Sequence, residues 1–353
     1  MNKFIDIVIV LCIGFTKTYS IENSYPKNSQ NNFAYNFLPK TLNSRSYNFY
    51  AFGEFLYMQT SQEGLEYAVL NNTTDSLPGS GNAIPGKRIG FEDAWSYEPG
   101  IKVGLGYIDQ NLWDAELYYS YVDIDTSTSF NFTNLGVLLP LWFAPPDNEA
   151  LSLSKDSRAK WSGSLNALDF KIEKKIFLSK KLLFEPTIGV KAARIKQLYF
   201  VLMKVQYNFV TPIKEPKFTG NITFKGAGIS AGINSEYYFL KHLYFFENFT
   251  FAILHSKFNV FQKYDGFTSN AVVHIIEETN KMFTNIPYFE ILAGIAGKYS
   301  YKNAFLVELK IGYEMQKWFR QNQFAGHFDS HTSVNLGDDL SIKGLIIRFG
   351  VQF

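Results

Sequence analysis

Phe305-Leu306-Val307-Glu308-Leu309-Lys310-Ile311-Gly312-Tyr313-Glu314-Met315-Gln316 decides the fold. Phe305, Val307, Leu309, Ile311, Tyr313 and Met315 share one parity, while Glu308, Lys310, Gly312, Glu314 and Gln316 share the other. A β-strand turns successive side chains to opposite faces, so the stretch is a strand with one greasy and one charged face. The pattern recurs in both directions. Phe289, Ile291, Ala293 and Ile295 alternate with Glu290, Gly294, Ala296 and Lys298, and Ile101, Val103, Leu105 and Tyr107 with Lys102, Gly104 and Gly106. Ala115, Leu117, Tyr119 and Tyr121 alternate with Asp114, Glu116, Tyr118 and Ser120. Leu168, Phe170 and Ile172 alternate with Asp169, Lys171 and Glu173, and Phe184, Ile188, Val190 and Ala192 with Glu185, Thr187, Gly189 and Lys191.

Ten strands are expected, near 48–59, 98–109, 113–125, 160–177, 182–203, 219–239, 243–262, 286–300, 304–319 and 340–353. Gly64 to Leu70 and Lys204 to Val210 leave a count of twelve or fourteen open. The connections 109–112, 178–181, 240–242 and 300–303 are of hairpin length, whereas those around 60–97, 126–159, 204–218, 263–285 and 320–339 are long and polar. Short turns alternating with long loops, over an even number of antiparallel strands, is the topology of a transmembrane up-and-down β-barrel with periplasmic turns and external loops. Gly226, Gly228, Gly232, Gly294 and Gly297 lie inside strand patterns with no helix following, which suits barrel curvature better than a phosphate loop.

Composition agrees. The 353 residues carry a net charge of +2, 19% charged residues and 17% aromatics, with 34 Phe and 22 Tyr. Soluble domains carry roughly 25% charged residues, and a nucleic-acid binder needs a basic field that is missing here. The longest uncharged apolar runs, Ile7 to Phe15 and Leu135 to Pro146, fall short of the ~20 residues of a membrane-spanning helix. A membrane location therefore means a barrel.

Met1-Asn2-Lys3, the apolar Phe4 to Phe15 and the small polar Thr16 to Ser20 have the order of a secretory signal peptide, cut after Ser20. The sole cysteine, Cys12, leaves with it, and Val10 and Leu11 before it are not the small residues of a lipoprotein box. The mature chain is then a polar segment, 21–46, followed by the barrel, 47–353, with no disulfide, thiolate metal site or cysteine nucleophile. Trp113 at a short-turn end, and Trp95, Trp161 and Trp318 near long loops, are expected to form two interfacial girdles. The charged parity supplies the candidate pore lining: Lys102, Glu116, Asp169, Lys171, Glu185, Lys191, Glu290, Lys298, Glu308, Lys310, Glu314 and Arg348. In a wet lumen these tune permeation; in a packed lumen they must pair.

The last strand, Leu345, Ile347, Phe349, Val351 and Phe353, ends in an aromatic carboxy-terminus, which resembles the signature recognised by barrel-assembly machinery. Several stretches resemble one family. They are Gly53 to Tyr57 with Gln62 to Ala68, Trp95 to Tyr107 with Trp113-Asp114, and Trp161 with Asn166 to Asp169. Glu185-Pro186 with Gly189, Gly226 to Asn234, Tyr313-Glu314 with Trp318 to Gln323, and Leu340-Ser341 with Gly344-Leu345 continue the series. From about residue 50 onward the chain is similar to the pore-forming outer-membrane proteins of Legionella and chlamydia-related bacteria, themselves similar to the chlamydial major outer membrane protein. It departs at Met58, where a Trp is expected, and in its cysteine-free mature chain, so a disulfide-bonded envelope role is not implied. The resemblance implies a porin of the bacterial outer membrane.

The expected function is a passive, weakly selective pore for small hydrophilic solutes and ions, narrow because barrel diameter grows with strand number. Leu135, Val137, Leu138, Leu139, Leu141, Trp142 and Phe143 are expected to fold back toward the mouth as a constriction, or to form a core among the loops. Two other readings stay open. One is an adhesin or structural envelope barrel. The other is a hydrolase using His327, Asp329, His331, Asp338 and Asp339 in one loop, where carboxylates beside His could activate water. A solvated loop explains the same residues, so no enzyme, catalytic residue, metal or cofactor is expected. The expected partners are the lipid bilayer, the assembly machinery and small solutes, with homo-oligomers open and nucleic acid excluded.

Overall fold

The computed structural model describes residues 48–71, 86–92, 94–109, 111–131, 137–142, 153–206, 215–267, 272–301, 305–327, 333–335 and 337–353. The expected signal peptide, 1–20, and polar segment, 21–46, lie outside the described residues.

Sixteen strands are described: β1 Asn48–Gln62, β2 Ala68–Asn71, β3 Lys87–Ile89, β4 Tyr97–Ile108, β5 Trp113–Asn131, β6 Val137–Pro140, β7 Leu153–Lys174 and β8 Ile176–Phe177. They continue as β9 Leu182–Gln206, β10 Lys217–Tyr238, β11 Leu243–Phe267, β12 Val272–Tyr301, β13 Phe305–Trp318, β14 Ala325–His327, β15 Ser333–Asn335 and β16 Leu340–Gln352. Ten of them, β1, β4, β5, β7, β9, β10, β11, β12, β13 and β16, pair antiparallel in that order, and β16 returns to β1. The ring is a closed ten-strand barrel. Closure leaves no free sheet edge, the one way a sheet can satisfy its backbone in hydrocarbon.

Among the described residues neither open segment adds a wall strand. Within Gly64 to Leu70 only β2 forms, pairing with β3 and β6 beside the ring, and Lys204 onward merely prolongs β9 to Gln206. The described residues of the long loop expected at 263–285 are strand instead. β11 and β12 stay paired as far as Phe267 opposite Val272, with one irregularity at Tyr264/Asp265. The sequence is polar there because the hairpin has risen clear of the apolar band, where Lys263 stands opposite Glu277. Polarity marks solvent, and a sheet can continue into water.

The greasy parity faces outward: Leu105, Ile188 and Ile229 are 63%, 64% and 72% exposed. Near the short turns Trp113 stands outside with the Lys174 ammonium 4.9 Å over its ring, and Tyr299, Tyr301 and Phe305 lie on the same outer face. At the opposite limit Tyr57 and Tyr97 stack at 5.1 Å, near Tyr313. This outer band suits lipid, where the same surface in water would be an untenable patch. The turn at 109–112 is set by Asp109, whose carboxylate accepts the Trp113 amide at 2.8 Å, while Leu112 takes the left-handed conformation at φ 66°.

Candidate functional site

The charged parity faces inward and gathers in the half of the lumen nearest the short turns. Ten carboxylates, Glu54, Asp114, Glu116, Asp169, Glu173, Glu185, Glu236, Glu290, Glu308 and Glu314, share it with seven cations, Lys102, Lys171, Lys175, Lys191, Lys298, Lys310 and Arg348. All twelve residues singled out in the sequence are there.

They are packed and paired. Lys102 crosses from β4 to bond Glu314 of β13 at 3.0 Å and lies 3.4 Å from Glu54. Arg348 of β16 reaches Glu116 of β5 at 3.0 Å and Glu54 at 3.4 Å, with its guanidinium 3.5 Å over the Phe52 ring. Lys191 bonds Asp169, its direct cross-strand partner, at 2.8 Å, and sits 4.4 Å over the Tyr288 ring. Lys298 donates to Glu236 at 2.7 Å and lies 3.4 Å from Glu308, which Lys310 approaches at 3.5 Å. Tyr288 donates to Glu290 and Tyr244 to Glu308. Lys171 rests over the Tyr118 ring at 5.1 Å. Charges so far from bulk water are tolerable because each meets an opposite charge, a hydroxyl, an amide or an aromatic face, Glu173 accepting from the Asn234 amide at 3.0 Å.

Toward the short-turn end the network borders a chamber of about 170 Å³ lined by both signs, with Ile108, Phe177 and Gln352 among the residues at that end. Lys175, beyond the end of β7, bridges Asp114 at 3.0 Å and Glu185 at 2.9 Å there. Lys175 is absent from the expected lining although it falls in the expected strand 160–177 and continues the parity of Asp169, Lys171 and Glu173. Glu54 is absent too, because its inward neighbours on β1, Phe52 and Leu56, are apolar and no charged parity marks that face.

Toward the long loops the lumen turns apolar. Leu56, Trp161, Ile195, Tyr199, Phe224, Phe258, Tyr288 and Trp318 are fully buried there. The segment expected to fold back does so. β6 pairs with β2, Leu138 is fully buried, and Trp142 packs on Tyr199 at 5.5 Å, Phe218 at 5.0 Å and Phe324 at 6.0 Å. Its indole N–H donates to the Glu66 carbonyl at 2.7 Å. A loop core thus rests directly on inward wall residues, and Leu135 and Phe143 lie outside the described residues. Trp161 and Trp318 are corrections: both point inward, and Trp95 packs on Trp161 at 5.5 Å. Trp318 shares parity with Glu314 and Gln316, and Trp161 with Leu165 and Asp169, so strand phase, not nearness to a loop, set their direction.

Of the His and Asp loop, Asp329 and His331 lie outside the described residues and His327 is described only as part of β14. Asp338 and Asp339 belong to a clamp. Asp339 accepts the Arg320 amide at 2.9 Å and pairs with Lys317 at 3.1 Å, while the Asp338 carbonyl accepts the Asn322 amide at 2.9 Å. Asn322 donates in turn to the Glu63 and Gly64 carbonyls, both at 3.1 Å. Partial burial, together with Glu63, Glu66 and Asp339 nearby, raises the Asp338 carboxyl above its usual range. Among the described residues no group of His, Cys, Asp and Glu is placed to hold a metal ion.

A closed antiparallel barrel with a lipid-facing band and short turns at one end defines an outer-membrane β-barrel protein. Residues 43–353 match the family model described as the Legionella pneumophila major outer membrane protein precursor, and the chain belongs to that family and to the bacterial outer membrane. No curated protein matches. Among solved structures the chain is similar to the outer membrane protease OmpT of Escherichia coli, at 10% identity and TM-score 0.44, covering 88% of this chain and 99% of that one. It is also similar to the toluene transporter TodX of Pseudomonas putida, at 11% identity and TM-score 0.29, covering 88% and 90%. A FadL homologue of Pseudomonas aeruginosa follows at 8% identity and TM-score 0.25, covering 89% and 94%. These distances carry no function across.

Proposed function

We propose that this barrel is a passive, weakly selective channel for small hydrophilic solutes and ions, not an enzyme, and that the aromatic layer under the external loops is its narrowest point. The observation that carries this is the two-signed chamber inside a lipid-facing wall, since a barrel that served only as an anchor has no need to solvate charge along its axis. Ten carboxylates against seven cations favour a modest cation preference. Export by the 1–20 leader, delivery to the assembly machinery through β16 and Phe353, and self-association belong to the same proposal.

The packed aromatic layer also favours a second reading, a closed envelope barrel whose loops make contacts outside. Conductance of the refolded chain 21–353 in a planar bilayer under a salt gradient separates the two. Discrete steps with a cation-selective reversal potential support the channel. Silence in both the native chain and a Trp142→Ala variant, from a barrel whose mobility on a gel shifts on heating, overturns it and leaves the envelope role.

A further inference from the structure

The outer wall carries a feature that permeation does not use. Outward along β9 the lipid-side residues are Pro186, Ile188, Val190 and Ala192, and then Arg194 and Lys196. β10 runs through Ile229 and Ala227 to Lys225, and β11 through Phe251, Ile253 and His255 to Lys257. The register sets Arg194 opposite Lys225 and Lys225 opposite Lys257, so three cations stand side by side across three adjacent strands. Like charges directly opposite one another destabilise a sheet. Among the described residues none of the three, nor Lys196, is ion-paired to a carboxylate; Lys257 lies over Phe283 at 5.5 Å and His255 meets Asn285 at 3.1 Å.

Directly beside this row the wall is recessed. Ala192 and Ala227 floor an open groove of about 510 Å³ walled by Tyr119, Leu168 and Phe283, with the three cations along one margin. Arg194 lies twelve residues beyond Leu182 at the start of β9. At about 3.3 Å per residue and a tilt of about 40°, that is about 30 Å of height, at the outer limit of the ~25 Å apolar band. On the other side of the barrel the corresponding margin holds neutral Tyr57, Tyr97 and Tyr313. A one-sided basic row above an apolar groove, at the outer edge of the outer membrane, calls for a molecule with acyl chains below and phosphate above.

We propose that this groove holds a phosphorylated glycolipid of the outer leaflet, its acyl chain lying over Ala192 and Ala227 and its phosphate bound by Arg194, Lys225 and Lys257. The guanidinium fork matches phosphate geometry, and the two ammonium groups donate charge-assisted bonds that no protein carboxylate accepts among the described residues.

Native mass spectrometry of the refolded barrel, with diphosphoryl lipid A titrated into detergent, tests the site. The native chain should retain one lipid A molecule, and Arg194→Ala/Lys225→Ala/Lys257→Ala should weaken retention by about 100-fold, near fivefold per cation at an anionic headgroup. Dephosphorylated lipid A should bind as poorly to the native chain as the intact lipid does to the triple variant. Millimolar inorganic phosphate should not compete, because the groove gives a free anion nothing to bury. If the triple variant fails to show heat-modifiable mobility, Ala227→Leu, which fills the groove and spares every charge, takes its place and should also weaken retention. Retention within twofold of native in a folded variant, equal retention of the dephosphorylated lipid, or competition by free phosphate each overturns the proposal.

Discussion

Replacing Lys191 by Met should cost the barrel about 3–5 kcal/mol, the loss expected when one partner of a buried ion pair is removed. The side chains of Lys191 and Asp169 are 3% and 0% exposed, with the ammonium 2.8 Å from the carboxylate. At an effective dielectric of about 20 the attraction across that gap is about 6 kcal/mol before desolvation. Methionine keeps the aliphatic stem and its packing on Tyr288, so the loss isolates charge. Asp169 is then stranded, since its hydrogen bond at 2.9 Å comes from Lys191 itself. Asp169→Asn should cost a comparable amount by stranding the ammonium, yet the double variant should cost far less than the two single losses together, because nothing charged is left unmatched. A coupling of at least about 2 kcal/mol is expected for such contacting residues. Urea unfolding in lipid vesicles, followed by tryptophan emission and heat-modifiable mobility, yields all four corners of the cycle. Additivity within about 0.5 kcal/mol, or a Lys191→Met cost below about 1 kcal/mol, would refute tight pairing of Lys191 with Asp169 and point to water between them.

Trp142→Ala empties a site bounded by Tyr199, Phe218 and Phe324 and should raise single-channel conductance while leaving the reversal potential unchanged, since no charge is altered; a shifted reversal potential would place the selective step elsewhere. Gly64 has φ +76° and its added Cβ would meet the Asp338 carboxylate, so Gly64→Ala should loosen the loop clamp by about 1–2 kcal/mol and speed proteolysis of the external loops. Because the folded state raises the Asp338 carboxyl above its ordinary value of 3.8, the neutral form is the one favoured by folding. Its contribution is present in acid and fades as pH rises through the raised value, so loop resistance to protease should increase on acidification from neutrality, and Asp338→Asn should flatten that trend.

How much was legible follows strand by strand. Phe305 to Gln316 declared its two faces, and the same alternation around Lys102, Asp169, Lys191 and Glu290 placed every candidate charge on the inner face, because a period of two is a local property of extended backbone. Turn length told the two ends of the barrel apart for the same local reason. Trp161 and Trp318 were misplaced by a rule of thumb about loops when the parity of Leu165 and Glu314 already fixed them. The 263–285 hairpin was misjudged because polarity signals solvent, not the end of pairing.

Ring closure at ten strands, however, depends on β16 meeting β1 across nearly the whole chain, as with Glu54 opposite Arg348, and no local pattern states that distance. Nor could alternation reveal that Lys102 spans the lumen to Glu314, that Trp142 returns to Tyr199, or that Arg194, Lys225 and Lys257 share one margin. The sequence by itself determined which residues face lipid and which face the axis. Only the tertiary structure decided which of them meet, because contact across a barrel depends on register and stagger summed around the whole ring.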